Sequence, residues 1–121
     1  MKTVVRWAVV TVVVVHGPLH LLGAAKGLGW AQMSMMKEPI GAAMGATWLA
    51  AAALVVAAGV LLAIQARWWW VVGALALVLS QGVIFTSWSD ALLGTIPNVI
   101  LLLAVIYTCS SRGPRVTAPG T

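Results

Sequence analysis

The sequence predicts an all-α fold, an integral membrane bundle of four helices, on three observations. Hydrophobic residues make up 62% of the 121 positions and charged residues only 7%, where a soluble domain carries roughly a quarter. Four apolar runs approach the roughly 20 residues that a spanning helix needs. The few basic residues fall between or beyond those runs, and hydrocarbon, not water, must therefore be the solvent for most of the chain.

The first run extends from about Val4 to Ala25 and the second from about Pro39 to Ile64, with Pro39 suited to a first helical turn. The third extends from about Trp68 to Trp88. The fourth starts at Ala91 or Thr95 and ends at Tyr107 or Thr108, and Gly94 and Pro97 predict a kinked or tilted start. The membrane domain thus covers residues 1–109, and residues 110–121, with Gly113, Pro114, Pro119 and Gly120, form a disordered cytoplasmic tail. The first run admits a rival reading as a cleaved leader, with Lys2 and Arg6, the valine-rich run and Gly23-Ala24-Ala25 in the expected order. Its continuation past Pro18 through Leu19, Leu21 and Leu22 favours a span.

Orientation follows from the basic residues. With the N-terminus inside, Lys2, Arg6, Arg67, Arg112 and Arg115 are cytoplasmic, and only Lys26 and Lys37 lie outside with the sole acids, Glu38 and Asp90. Trp7, Trp68, Trp69, Trp70 and Tyr107 then mark the inner interface, Trp30 and Trp88 the outer one, and Trp48 alone falls inside a span. The net charge of +5 is spread over separate loops and forms no nucleic-acid patch. The long connection from Lys26 to Glu38 predicts a short interfacial helix over Leu28 to Met36, and the turn at Gln65-Ala66-Arg67 makes the second and third helices antiparallel neighbours. Cys109 is a lone thiol, which excludes dithiol relay chemistry and reads as a buried apolar filler.

Polar residues inside a span are expensive, so each is a functional candidate. His16 and His20 lie four residues apart, on one helical face continued by Gly23 and Gly27. Pro18 frees the carbonyl of Val14 and predicts a kink. Gln81 falls in the outer half of the third helix, and Asp90, Thr95 and Asn98 at the outer turn. The inner half is nearly plain hydrocarbon, so an outward-opening polar pocket is the economical explanation. His16, His20 and Asp90 are the candidate catalytic groups, suited to proton transfer on a lipophilic molecule, as in isomerisation, cyclisation or epoxide opening. Gln81, Trp88, Asn98 and Lys26 are the candidate ligand-binding residues.

Each has a plainer reading: interhelical hydrogen bonds for the histidines and Gln81, a helix cap at Ala91 for Asp90, headgroup contacts for Lys26 and Lys37. The same groups permit metal binding, with His16, His20 and Asp90 as ligands and Met33, Met35 and Met36 as soft donors to Cu(I), but the Met-Ser-Met-Met run reads better as an apolar helix face. No metal or cofactor is therefore assigned. Gly41 and Gly45 form a small-residue pair expected to contact another helix, in this chain or a second copy. The expected partners are membrane lipids and a lipophilic small molecule, with self-association left open and no nucleic acid.

The string His16-Gly17-Pro18-Leu19-His20-Leu21-Leu22-Gly23, the Trp68-Trp69-Trp70 triplet with Ser80-Gln81 after it, and the run from Ser87 through Asp90 and Pro97 to Asn98 resemble a group of small bacterial four-helix membrane proteins, loosely DoxX-like. The likeness spans about residues 4 to 107. It implies the four-helix fold and the bacterial cytoplasmic membrane, and by fold analogy an accessory place in a redox complex. Pro18 and Pro97 depart from the pattern and bear on helix geometry.

Overall fold

Each apolar run becomes a helix because a backbone in hydrocarbon has no water to bond and must satisfy its own N–H and C=O groups. The computed structural model describes residues 1–112. The elements are α1 (Thr3–Gly27), α2 (Ala42–Ala63), α3 (Trp69–Thr86), the short α4 (Trp88–Ala91), one turn of 3-10 helix (Leu92–Gly94) and α5 (Thr95–Ser111). Four segments are long and apolar enough to cross a membrane, with Trp88–Ser111 counting as the fourth. The chain is a multi-pass all-α bundle. α1 packs most extensively on α2, α2 on α3 and α3 on α5, while the closing seam between α1 and α5 is much thinner. One end carries both helix termini of the chain and the α2–α3 turn. The other, the loop end, carries residues 28–41 and α4.

The α1–α2 seam is tight because glycines line it. A Cβ on Gly27 would lie 2.5 Å from the Cα of Gly45, and one on Gly59 would lie 2.7 Å from the Val14 side chain. Gly23 backs directly onto the ring of Trp48. This interface holds α1 against α2 in the bundle. Both members of the Gly41–Gly45 pair meet α1 at Gly27, but in different ways: a Cβ on Gly27 would lie 2.5 Å from the Cα of Gly45 and 2.8 Å from the carbonyl oxygen of Gly41, while Gly41 is the extended residue before α2 and the space beside its own Cα is open.

The loop end departs from expectation in three further places. No helix forms over Leu28 to Met36; the segment is a series of turns, and Gly29 sits at φ +72°, a left-handed conformation that ends α1. Pro39 is not in the first turn of α2, which begins at Ala42. The reason is that the backbone of residues 36–38 is held from outside: Lys26 Nζ donates to the carbonyls of Met36 and Glu38, and Asp90 accepts from the amides of Lys37 and Glu38. Finally, α3 stops at Thr86 and Ser87 breaks the path (φ −129°, ψ 44°), so Trp88 begins α4 and shares no helix face with Gln81.

At the terminal end, α5 runs to Ser111, past the expected boundary at 109, Arg112 follows it, and residues 113–121 of the expected tail lie outside the described residues. Cys109 is exposed, not buried. Pro97 sits in the first turn of α5, where a missing N–H leaves no helical bond unmade. α1 continues through Pro18. The tight α2–α3 turn is made by Gln65 at φ 55°.

The core is layered. A large apolar cluster built around Val13, Val55, Trp69, Ala76 and Leu101 fills the terminal half, and a smaller one of Ala24, Trp48, Ala51, Val83 and Ile84 fills the loop end. Between them along α1, α3 and α5 come the buried polar residues His16, His20, Ser80 and Asn98.

Candidate functional site

The polar layer is built from three helices. Spacing of four stacks His16 and His20 on the inward face of α1, with their rings edge to face at 4.6 Å between centroids. Ser80 enters from the middle of α3 and Asn98 from the first turns of α5. His20 Nε2 lies 2.8 Å from Ser80 Oγ, and His16 Nε2 approaches the same oxygen at 3.5 Å. Ser80 donates to Asn98 Oδ1 at 3.0 Å, Asn98 Nδ2 donates to Gln81 Oε1 at 2.9 Å, and Gln81 Nε2 donates to Thr95 Oγ1 at 3.1 Å. Ser80 Oγ thus joins both imidazoles to Asn98, and His20 Nδ1 lies 3.3 Å from the carbonyl oxygen of His16. Buried hydrogen bonds of this kind fix one packing of three helices, because leaving any member unpaired costs about 1–3 kcal/mol.

Next to this layer, on the loop-end side, is a cavity of about 320 Å³. Its walls are His16, His20, Trp48, Ile84 and Gly94, and it is roofed by Met35 and Met36 of the strap formed by residues 28–41. Leu19, Leu22 and Leu93 also border it and are exposed on the bundle flank, so it opens sideways, toward the region that lipid would occupy. Two buried polar atoms on its wall residues have no hydrogen-bond partner: His16 Nδ1 and Trp48 Nε1. The indole N–H can only donate. The Trp48 ring also packs at 5.5 Å from that of His20.

The expected site residues divide into three groups. His16 and His20 line the cavity, as does Asp90. Gln81 and Asn98 belong to the polar layer behind it, and the hydroxyl of Ser80 links the histidines to Asn98. Lys26 and Trp88 are elsewhere. Lys26 clamps the strap, and Trp88 stacks on Phe85 at 5.7 Å, with both rings exposed. Asp90 does not cap a helix: α4 starts after Ser87 and has no side-chain cap. Its carboxylate accepts from the amides of Lys37 at 3.0 Å and Glu38 at 2.7 Å, and Glu38 in turn accepts from Ser89 at 2.7 Å. Among the described residues, no three His, Cys, Asp or Glu side chains assemble as a metal site, so His16, His20 and Asp90 do not form one.

Sequence reasoning missed Ser80 and Trp48. A serine in an apolar helix can satisfy itself on its own backbone and so raises no alarm. A tryptophan inside a span reads as packing. Its location there, away from both interfaces where the other indoles gather, is the signal that was available.

Fold and site together define a polytopic four-helix membrane protein with a buried polar layer beside a laterally open cavity. Comparison with protein-family models, with curated proteins and with solved structures gives no match.

Proposed function

We propose that the cavity beside His16, His20 and Trp48 binds a small lipophilic molecule that carries a hydrogen-bond acceptor, and that His16 exchanges a proton with it. The observation that carries this reading is the pair of buried, partnerless polar atoms, His16 Nδ1 and Trp48 Nε1, carried by two residues that line one cavity. A buried polar group without a partner costs about 1–3 kcal/mol, which a ligand oxygen over the indole N–H would recover. The mostly apolar walls and the sideways opening suit a molecule that arrives from the bilayer. His20, Ser80, Asn98 and Gln81 would hold the imidazoles in place, while His16 Nδ1 is left free as the acid or base. The chemistry this favours is isomerisation, cyclisation or epoxide opening. In this reading the loop end faces outward, both termini are cytoplasmic, and the membrane is the bacterial inner membrane, on the strength of the basic residues and of the DoxX-like resemblance.

The test uses two probes of one shape, acetylnaphthalene and isopropenylnaphthalene, which differ only in a carbonyl oxygen against a methylene. The ketone is expected to bind roughly tenfold more tightly, and Trp48→Phe to abolish the preference while keeping hydrocarbon binding. If neither probe binds, the ligand reading is wrong.

A second reading rests on Met35 and Met36, whose thioethers share this cavity with both imidazoles. Soft thioether donors suit Cu(I). Stoichiometric copper in the purified protein, lost with Met35→Leu and Met36→Leu together, would favour it over the first.

A further inference from the structure

The thin seam between α1 and α5 is open at the terminal end. An apolar groove of about 500 Å³ runs along it between Val5, Val9, Ile100, Leu103 and Ala104. Tyr107 stands at its mouth and also borders a polar recess of about 240 Å³ that holds Arg6, Arg112, Gln65 and Ser111. The groove and the recess thus share Tyr107 and Met1; the recess is cationic, and the groove is hydrocarbon except at its mouth, where Lys2 and the N-terminal ammonium, which donates to Tyr107, add positive charge.

Among the described residues, the charges in the recess have no carboxylate to meet. The chain has two acidic side chains, and both Glu38 and Asp90 are engaged in the strap at the opposite end. Arg6 Nε is buried with no hydrogen-bond partner among the described residues, and its guanidinium carbon lies 5.6 Å from the centre of the Trp7 ring. A planar guanidinium with free donors at the edge of a bilayer is matched to a phosphate. Among the described residues no acid lines the recess to receive a choline or ethanolamine cation, which separates anionic from zwitterionic headgroups.

We propose that this site holds one anionic phospholipid, with its phosphate between Arg6 and Arg112 and one acyl chain in the α1–α5 groove. The lipid would complete the seam where protein packing is thinnest. The experiment titrates the purified protein in neutral detergent with dioctanoyl phosphatidylglycerol, dioctanoyl phosphatidylcholine and glycerol phosphate, reading adducts by native mass spectrometry and the unfolding temperature in parallel. Phosphatidylglycerol should bind about tenfold more tightly than phosphatidylcholine, and glycerol phosphate should bind far more weakly than the lipid. Arg112→Gln, at an exposed helix end, and Arg6→Gln should each remove the preference for the anionic lipid. Leu103→Trp, which fills the groove, should weaken the lipid and leave glycerol phosphate unchanged. Equal binding of the two lipids, glycerol phosphate binding as tightly as the lipid, or unaltered preference in Arg112→Gln would overturn the proposal.

Discussion

At the scale of single residues, Ser80 is the centre of the polar layer. It is the one group bonded to both α1 and α5, so Ser80→Ala strips partners from His20 Nε2 and Asn98 Oδ1 together. We expect this variant to lose about 2 kcal/mol of stability, measured by unfolding in mixed micelles. Adding Asn98→Ala to Ser80→Ala should cost less than the sum of the two, since both act on one network. The histidines were legible in the sequence because an imidazole in hydrocarbon is costly and two at a helical spacing share a face. Ser80 and Trp48 were not, because a hydroxyl can hide on its own helix and the large apolar ring of a tryptophan in a span reads as packing. Asp90 and Lys26 were read as site groups because each is a charge near the polar half. Their real partners are backbone groups 10 to 53 positions away, and no side-chain pattern encodes those.

At the scale of elements, the helices and the strap obey different logic. The spans were legible to within a few residues because hydrocarbon leaves the backbone one solution. The connection from α1 to α2 was not, because its path is set by side chains distant in sequence. The two amides bond to different oxygens of the Asp90 carboxylate, so Asp90→Asn keeps the shape, weakens one charge-assisted contact and removes the other, where an NH2 replaces the accepting oxygen. Amide exchange at Lys37 and Glu38 should therefore quicken, while exchange in α2 and α3 stays unchanged. An unchanged rate at those two amides would mean that the strap is held by Lys26 alone. The α1–α2 seam gives a sharper expectation. Gly45→Leu drives a side chain into the backbone of Gly27 and should cost about 2 kcal/mol or more, seen as a lower yield of folded protein, whereas Gly41→Leu should be close to neutral because its Cβ meets open space.

At the scale of the whole molecule, the polar groups divide between two places. One is the layer and cavity toward the loop end, and the other is the cationic rim at the terminal end. That asymmetry carries the proposed orientation. In a Cys109→Ser background, Ser34→Cys should react with a membrane-impermeant maleimide on intact cells, and Ala66→Cys only after the membrane is opened. The reverse pattern would turn the cavity to the cytoplasmic side and leave its chemistry unchanged. The binding reading itself is a matter of one donor. Each of the seven tryptophans gives one indole N–H signal in a proton–nitrogen correlation spectrum, and Trp48→Phe identifies the one that matters. On addition of acetylnaphthalene to the protein in micelles, the Trp48 signal should move downfield as its N–H gains an acceptor, with the signals of the exposed indoles unmoved. Saturating binding with the Trp48 signal fixed in place would contradict the account.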